Sequence, residues 1–230
     1  MTGERHVVVV AAGDVASRAG LDRAWPGWAD GVDAVVVADG GLAAADELGL
    51  APTVVVGDMD SAEPARVEAA AAAGVPVIRA SPDKDESDTE LAVLEAMRLG
   101  ATRITVLGAL GGTRLDHELA NVWLLALDAL GGVPTALLDQ RVRVTLLVAP
   151  RPGGDGGAAR RELPGVVGAT VSLLPFGGDV EGVTTQALRY PLRDEPLTAG
   201  PARGLSNVRT AADAAVTVRS GRLLIIESAT

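Results

Sequence analysis

The stretch DAVVVADGGLAAADELGLAPTVVVGDMDS, residues 33–61, carries the pattern from which the fold is read. Two short valine runs, DAVVVADGG and PTVVVGDMDS, flank the alanine-rich segment LAAADELGL. An all-apolar run of this length is what a strand buried on both faces looks like, and the segment between has helical composition closed by a glycine. Strand, helix, strand in that order predicts a βαβ unit with parallel strands and a right-handed crossover. Each valine run ends on acidic residues: Asp39, followed by Gly40 and Gly41, and then Asp58 with Asp60. Asp58 and Asp60 are two apart, so they share one face if the extended geometry persists. Two like charges held close repel unless a cation lies between them. Gly57, Asp58, Asp60 and Ser61 are also ordinary turn formers, and a solvated turn explains that break taken alone.

The same rhythm runs from Val7 to about Leu138. Further strand candidates are HVVVVAAGD, VPVIRASPDKDESD, RITVLGALGG and PTALLDQ, and further helix candidates are PARVEAAAAAG, DTELAVLEAMRLG and ELANVWLLALDAL. After about Gln140 the pattern changes to short β-like runs with Pro and Gly breaks: RVRVTLLVAP, ATVSLLPFG, GVTTQALRYPL, AAVTVRSG and RLLIIES. The expectation is an α/β chain in two domains. Residues 1–139 form a mostly parallel, Rossmann-like sheet with flanking helices, and residues 140–230 form a small all-β sandwich. RPGGDGGAARREL, residues 151–163, is expected to be a flexible hairpin loop or insertion.

Composition narrows the function classes. Hydrophobic residues make up 48% of the 230 and aromatics only 2%, so the core is built from Val, Leu, Ala and Ile. A net charge of −10 argues against a duplex-wide nucleic-acid footprint, which needs a basic patch. It leaves a nucleotide open, because Mg²⁺ brings phosphates to carboxylates. With no cysteine there is no disulfide, thiolate zinc site or Cys nucleophile, and with only His6 and His117 a His-based zinc site is improbable. The N-terminal apolar run reads as a first strand and not a signal peptide, and no 18-residue apolar span exists; a soluble, cytoplasmic protein with no membrane partner is expected.

In a parallel sheet, ligands bind beyond the carboxyl ends of the strands. The polar breaks fall at that edge: Asp14, Asp39, Asp58 with Asp60, then Lys84, Asp85 and Asp88, and finally Gly111, Gly112, Arg114, Asp116 and His117. No Walker phosphate loop, dinucleotide fingerprint or nucleophile elbow is present. Carboxylates, a lysine, an arginine and glycine-rich turns suit metal-assisted phosphoryl transfer, with Asp58 and Asp60 as first-choice magnesium ligands. Ser87 or Asp88 can also cap a helix, a role compatible with function. Arg114 can grip phosphate beside the start of a helix near Asp116. His117 can equally be a helix-start residue packing locally, and for Asp14 a plain turn suffices.

The ordered motifs ADGG (39–41 with Ala38), GDMDS (57–61), KDESD (84–88), GGTRLDH (111–117) and GLSN (204–207) resemble the thiamine pyrophosphokinase family over nearly the whole chain. The resemblance implies Mg²⁺-dependent diphosphoryl transfer from ATP to the thiamine hydroxyl, giving thiamine diphosphate and AMP, in a homodimer. It assigns magnesium binding to Asp58, Asp60 and Asp88 and catalysis to Asp60 and Asp88. It gives the nucleotide to Asp39, Gly40, Gly41, Lys84, Arg114, Asp116 and His117, and thiamine to Tyr190, Ser206 and Asn207. A flat cationic ligand suits an aromatic face, and Tyr190, the only tyrosine, can stack on the ring across the dimer. Three departures stand out: Ser87 where Thr is usual, Thr113 inserted before Arg114, and Ala187 where glycine is common. Two other readings share the motifs: a pyrophosphokinase for a pterin-like alcohol, and a non-catalytic nucleotide or thiamine sensor.

Overall fold

A computed structural model describes residues 3–81, 83–150 and 157–229. The chain divides into two compact units, Met1–Gln140 and Arg141–Thr230.

The first unit holds six strands: β1 (His6–Val10), β2 (Val32–Ala38), β3 (Val54–Gly57), β4 (Val77–Arg79), β5 (Arg103–Leu107) and β6 (Thr135–Leu138). Their order is β6-β5-β1-β2-β3-β4, and every pairing is parallel. Five helices alternate with them: α1 (Arg18–Ala24), α2 (Leu42–Leu48), α3 (Pro64–Ala72), α4 (Asp88–Arg98) and α5 (Leu115–Leu124). The valine runs are strands because Val7–Val10 of β1 and the last five residues of β2 are buried, a burial that apolar side chains favour. Val8, Val10, Val35, Val37 and Val55 pack with Leu21, Leu42 and Leu48 into one core. The chain runs outward through β2, β3 and β4, then returns to the other side of β1 for β5, so the β1–β5 junction is the sheet's switch point. α1 adds to the expected elements: Ser17 Oγ accepts from the Gly20 N–H to cap it, and Leu21 is fully buried.

The second unit is antiparallel. Its strands are β7 (Val142–Val148), β8 (Ala159–Pro164), β9 (Thr170–Pro175), β10 (Val180–Gln186), β11 (Glu195–Leu197), β12 (Asn207–Val208), β13 (Asp213–Val218) and β14 (Arg222–Ser228). They form two layers, β12-β9-β14-β7 and β11-β10-β13-β8. Leu147, Leu173, Leu223 and Ile225 of the first meet Leu163, Val183, Val216 and Val218 of the second in a closed sandwich core. Glu227 is buried there, accepting from Arg143 Nε at 2.7 Å and Nη2 at 2.8 Å and pairing with Arg209.

The expected loop at 151–163 is corrected in its second half. Ala159–Pro164 is β8, paired with β13 along all six residues. Burial at Arg161 and Leu163 alternates with exposed Arg160 and Glu162, so the partner strand and the core override the polar composition. Residues 151–156 lie outside the described residues. Among the described residues no helix is long and apolar enough to cross a membrane.

Candidate active site

The carboxyl ends of β2 and β3 deliver the acidic residues. After β2, Asp39 opens a single 3₁₀ turn, Asp39–Gly41, that leads into α2. A Cβ at Gly41 would lie 2.4 Å from the carbonyl oxygen of Val10, so only glycine lets this turn close onto the end of β1. Beyond β3 the extended geometry stops. Met59 takes φ of 68°, and the Asp60 N–H donates to Asp58 Oδ1 at 3.2 Å. Asp58 and Asp60 therefore converge through a left-handed turn and not by sharing a strand face. Met59 packs against the core beneath. A non-glycine residue held left-handed is strained, and such strain clusters at functional sites.

One carboxylate oxygen from each of Asp39, Asp58 and Asp60 lies within 4.8 Å of the others. The Ser61 N–H donates to Asp39 Oδ2 at 3.0 Å, and the Ser61 hydroxyl to Asp60 Oδ1 at 2.8 Å. Lys84 Nζ stands 3.2 Å from Asp58 Oδ2 and 3.0 Å from Asp88 Oδ1, with its side chain 12% exposed. Asp88 is the first residue of α4, placed by Ser87, whose Oγ accepts from the Glu90 N–H at 3.1 Å. Helix capping and site-building thus coexist in KDESD.

The electrostatics follow from these contacts. Burial pushes the Asp39 carboxyl up, the Ser61 N–H opposes this, and the carboxylates of Asp88, Asp58 and Asp60 raise it further. Asp58 is held low, first by the Asp60 N–H and then by Lys84. Burial disfavours the Lys84 ammonium, yet the adjacent carboxylates of Asp88 and Asp58 outweigh it and raise its pKa. Asp39 Oδ1 is buried without a hydrogen-bond partner, and Asp88 Oδ1 accepts no aligned hydrogen bond despite its nearness to Lys84. A buried carboxylate oxygen left unpaired is costly unless something positive meets it. Hard oxygen donors from three clustered carboxylates, one of which keeps a buried oxygen unpaired, fit Mg²⁺.

The other expected residues fall into two further groups. Arg114 and Asp116 form an exposed bidentate pair at the start of α5, at 2.9 and 2.6 Å, and His117 is exposed beside them. The Arg114 side chain holds the Asp116 carboxyl well below the usual range. No hydrogen bond or ion pair among the described residues ties this trio to the carboxylates. In the second unit Tyr190 and Asn207 are locked together: the Tyr190 N–H donates to Asn207 Oδ1 at 3.0 Å, and Asn207 Nδ2 to the Tyr190 carbonyl at 2.7 Å. The Tyr190 ring is exposed, with the Arg189 guanidinium 5.8 Å from its centroid. Ser206 has φ of 57°, and its N–H donates to Ser172 Oγ at 3.0 Å. Ala187 has φ of 53°, which gives a physical reason for glycine at that position. Asp14 and Asp85 are exposed in bends or loop.

Sequence reasoning passed over Ser61 and Ser172. Ser61 had a signal, since it directly follows Asp60; Ser172 had none, because it lies mid-strand in β9 and meets Ser206 only through strand pairing.

Fold and site together define an enzyme of α/β-plus-β-sandwich build whose centre is made of carboxylates and one lysine. Residues 28–129 match the family model of the thiamin pyrophosphokinase catalytic domain, and residues 160–225 match that of the thiamin pyrophosphokinase vitamin B1 binding domain. A thiamine pyrophosphokinase of Bacillus subtilis (strain 168) is 28% identical over 185 residues, spanning 79% of this chain and 81% of the relative. The crystal structure of a thiamin pyrophosphokinase from Geobacillus thermodenitrificans superposes with a TM-score of 0.78 at 26% identity, covering 98% of each chain. That of yeast thiamin pyrophosphokinase shares the fold at 13% identity, with a TM-score of 0.76 over 100% of this chain and 88% of its own. The chain belongs to the thiamin pyrophosphokinase family.

Proposed function

We propose that this enzyme transfers the diphosphoryl group of ATP to the hydroxyethyl oxygen of thiamine, releasing AMP and thiamine diphosphate. The observation that carries the chemistry is the convergence of Asp39, Asp58 and Asp60 beside the Lys84 bridge to Asp58 and Asp88. Asp58, Asp60 and Asp88 would hold magnesium, and the reading extends to Asp39, supported by its buried, unpaired Oδ1 and its nearness to Asp58 and Asp60. Mg²⁺ held there supplies positive charge that offsets the charge developing on the phosphoryl oxygens. Asp39, Gly40 and Gly41 border the nucleotide, and Lys84 offers its ammonium to the phosphates. Arg114 contacts a phosphate while it still shares its guanidinium with Asp116, and His117 lies alongside. Asp60 or Asp88 accepts the proton from the attacking hydroxyl.

The first unit is the nucleotide and catalytic part, and the second unit binds thiamine and supports a homodimer. Tyr190, Asn207 and Ser206 form the thiamine surface. The Tyr190 face already has a guanidinium near it, which is the electrostatic preference a thiazolium ring shares. The protein works in the cytoplasm.

Mixing purified protein with ATP, Mg²⁺ and thiamine, and identifying the nucleotide product, tests this. AMP formed only with thiamine, matched by thiamine diphosphate, supports the reading. ADP in place of AMP would overturn the choice of phosphorus attacked. Turnover with a pterin alcohol and none with thiamine would move the substrate. Binding of both ligands without turnover would make the protein a sensor.

A further inference from the structure

Ser61 reaches two of the three clustered carboxylates, Asp39 and Asp60. Its N–H fixes Asp39 Oδ2 at 3.0 Å, and its hydroxyl fixes Asp60 Oδ1 at 2.8 Å. Asp39 is buried, so its rotamer is held by packing as well. Asp60 is exposed at the head of a turn, where an unrestrained carboxylate samples several staggered rotamers. The two bonds occupy one oxygen of each carboxylate and leave Asp39 Oδ1 without a partner, in a group in which one oxygen from each residue lies within 4.8 Å of the others. We infer that Ser61 is a positioning residue of the metal site, with its hydroxyl selecting the Asp60 rotamer that completes the carboxylate set. The inference rests on the magnesium role proposed above.

The bonds have different origins, which makes the test clean. Ser61→Ala removes the hydroxyl but keeps the main-chain N–H on Asp39, and Ser61→Thr keeps both. Each protein is titrated with Mn²⁺ in the presence of α,β-methylene ATP, whose bridge resists cleavage, and free Mn²⁺ is read by electron paramagnetic resonance. Outer groups that orient metal ligands are worth about ten- to a hundredfold in affinity, so Ser61→Ala is expected to weaken Mn²⁺ at least about tenfold. Ser61→Thr is expected to bind near the wild-type level, and the thermal midpoints of all three proteins to agree. Wild-type affinity in Ser61→Ala would overturn the inference and leave the proposed reaction standing. Equal loss in Ser61→Ala and Ser61→Thr would also overturn it, because the hydroxyl would not be the cause. Wild-type protein that retains no Mn²⁺ beyond what the nucleotide holds would remove the magnesium role itself, and the inference with it.

Discussion

Gly57 is the residue at which backbone conformation and space impose the same demand. Its φ is 151°, and a Cβ there would lie 2.7 Å from Asp39 Cβ and 3.2 Å from Asp88 Oδ1. The end of β3 passes between two of the site's carboxylates, and any side chain must push one aside. Gly57→Ala is expected to cost about 1–3 kcal/mol of stability for the forced conformation. Because displacements near 1 Å are enough to spoil catalysis, AMP release should fall by about a hundredfold. Urea unfolding and the product assay check both; a variant with wild-type values in each would show that the turn adapts. His6, at the start of β1, makes a different kind of prediction. It is buried, with Nδ1 3.1 Å from the Asp30 carbonyl and Nε2 2.9 Å from Thr105 Oγ1. Burial lowers its pKa, although the Asp30 carbonyl opposes this. The unfolded chain, with an ordinary His pKa of about 6.5, therefore takes up the proton first as the pH falls. His6 contributes no pH dependence well above that value and favours unfolding progressively below it. Urea midpoints at pH 7.5 and 5.5 should drop more in the wild type than in His6→Gln; parallel drops would assign the effect to other groups.

Helix α4 shows how an element serves both fold and site. Ser87 caps it and Asp88 is its first residue, so the cap that stops the helix from fraying also aims Asp88 at Lys84. Ser87→Ala should cost about 1 kcal/mol and lower activity, whereas Ser87→Thr retains the cap oxygen and should be nearly neutral. Thermal unfolding with the product assay separates the two, and equal behaviour of both variants would detach the cap from the site. The parallel strands were legible in the sequence because a strand covered on both faces favours a run of apolar residues, as in Val7–Val10 of β1 and Val54–Val56 of β3. α1 and β8 were not. Arg18–Ala24 is seven residues long with Gly20 inside, too short to display a helical period, and it forms because Ser17 caps it and Leu21 finds the core. Ala159–Pro164 follows glycines and carries three charges, and it is a strand because β13 supplies its partner. The acidic residues were equally legible as strand-end features. That Asp39 joins Asp58 and Asp60, while Asp88 is engaged by Lys84, depends on the left-handed Met59, which no local preference announces.

At the scale of the molecule the proposed chemistry is divided between two compact units. The carboxylates and Lys84 belong to Met1–Gln140, and Tyr190 with Asn207 belongs to Arg141–Thr230. The proposed homodimer, with the tyrosine stacking across it, would set one chain's Tyr190 on the thiamine that its partner's Asp60 helps to activate. Such a centre can be rebuilt from two broken chains. Asp60→Asn and Tyr190→Ala should each be nearly inactive alone. When the two are unfolded together and refolded, or co-expressed, half of the dimers are mixed, and in each mixed dimer one of the two centres has both residues intact. Activity should then recover to about a quarter of the wild-type level for a two-fold symmetric assembly. Refolding each variant with itself is the control, and light scattering should give a mass near twice the 23.3 kDa of one chain. A dimer without recovery would mean that each chain carries its own complete centre, with Tyr190 and Asp60 serving the same thiamine from one chain. A monomer with full wild-type activity would remove the shared centre altogether and leave the chemistry of the carboxylates untouched.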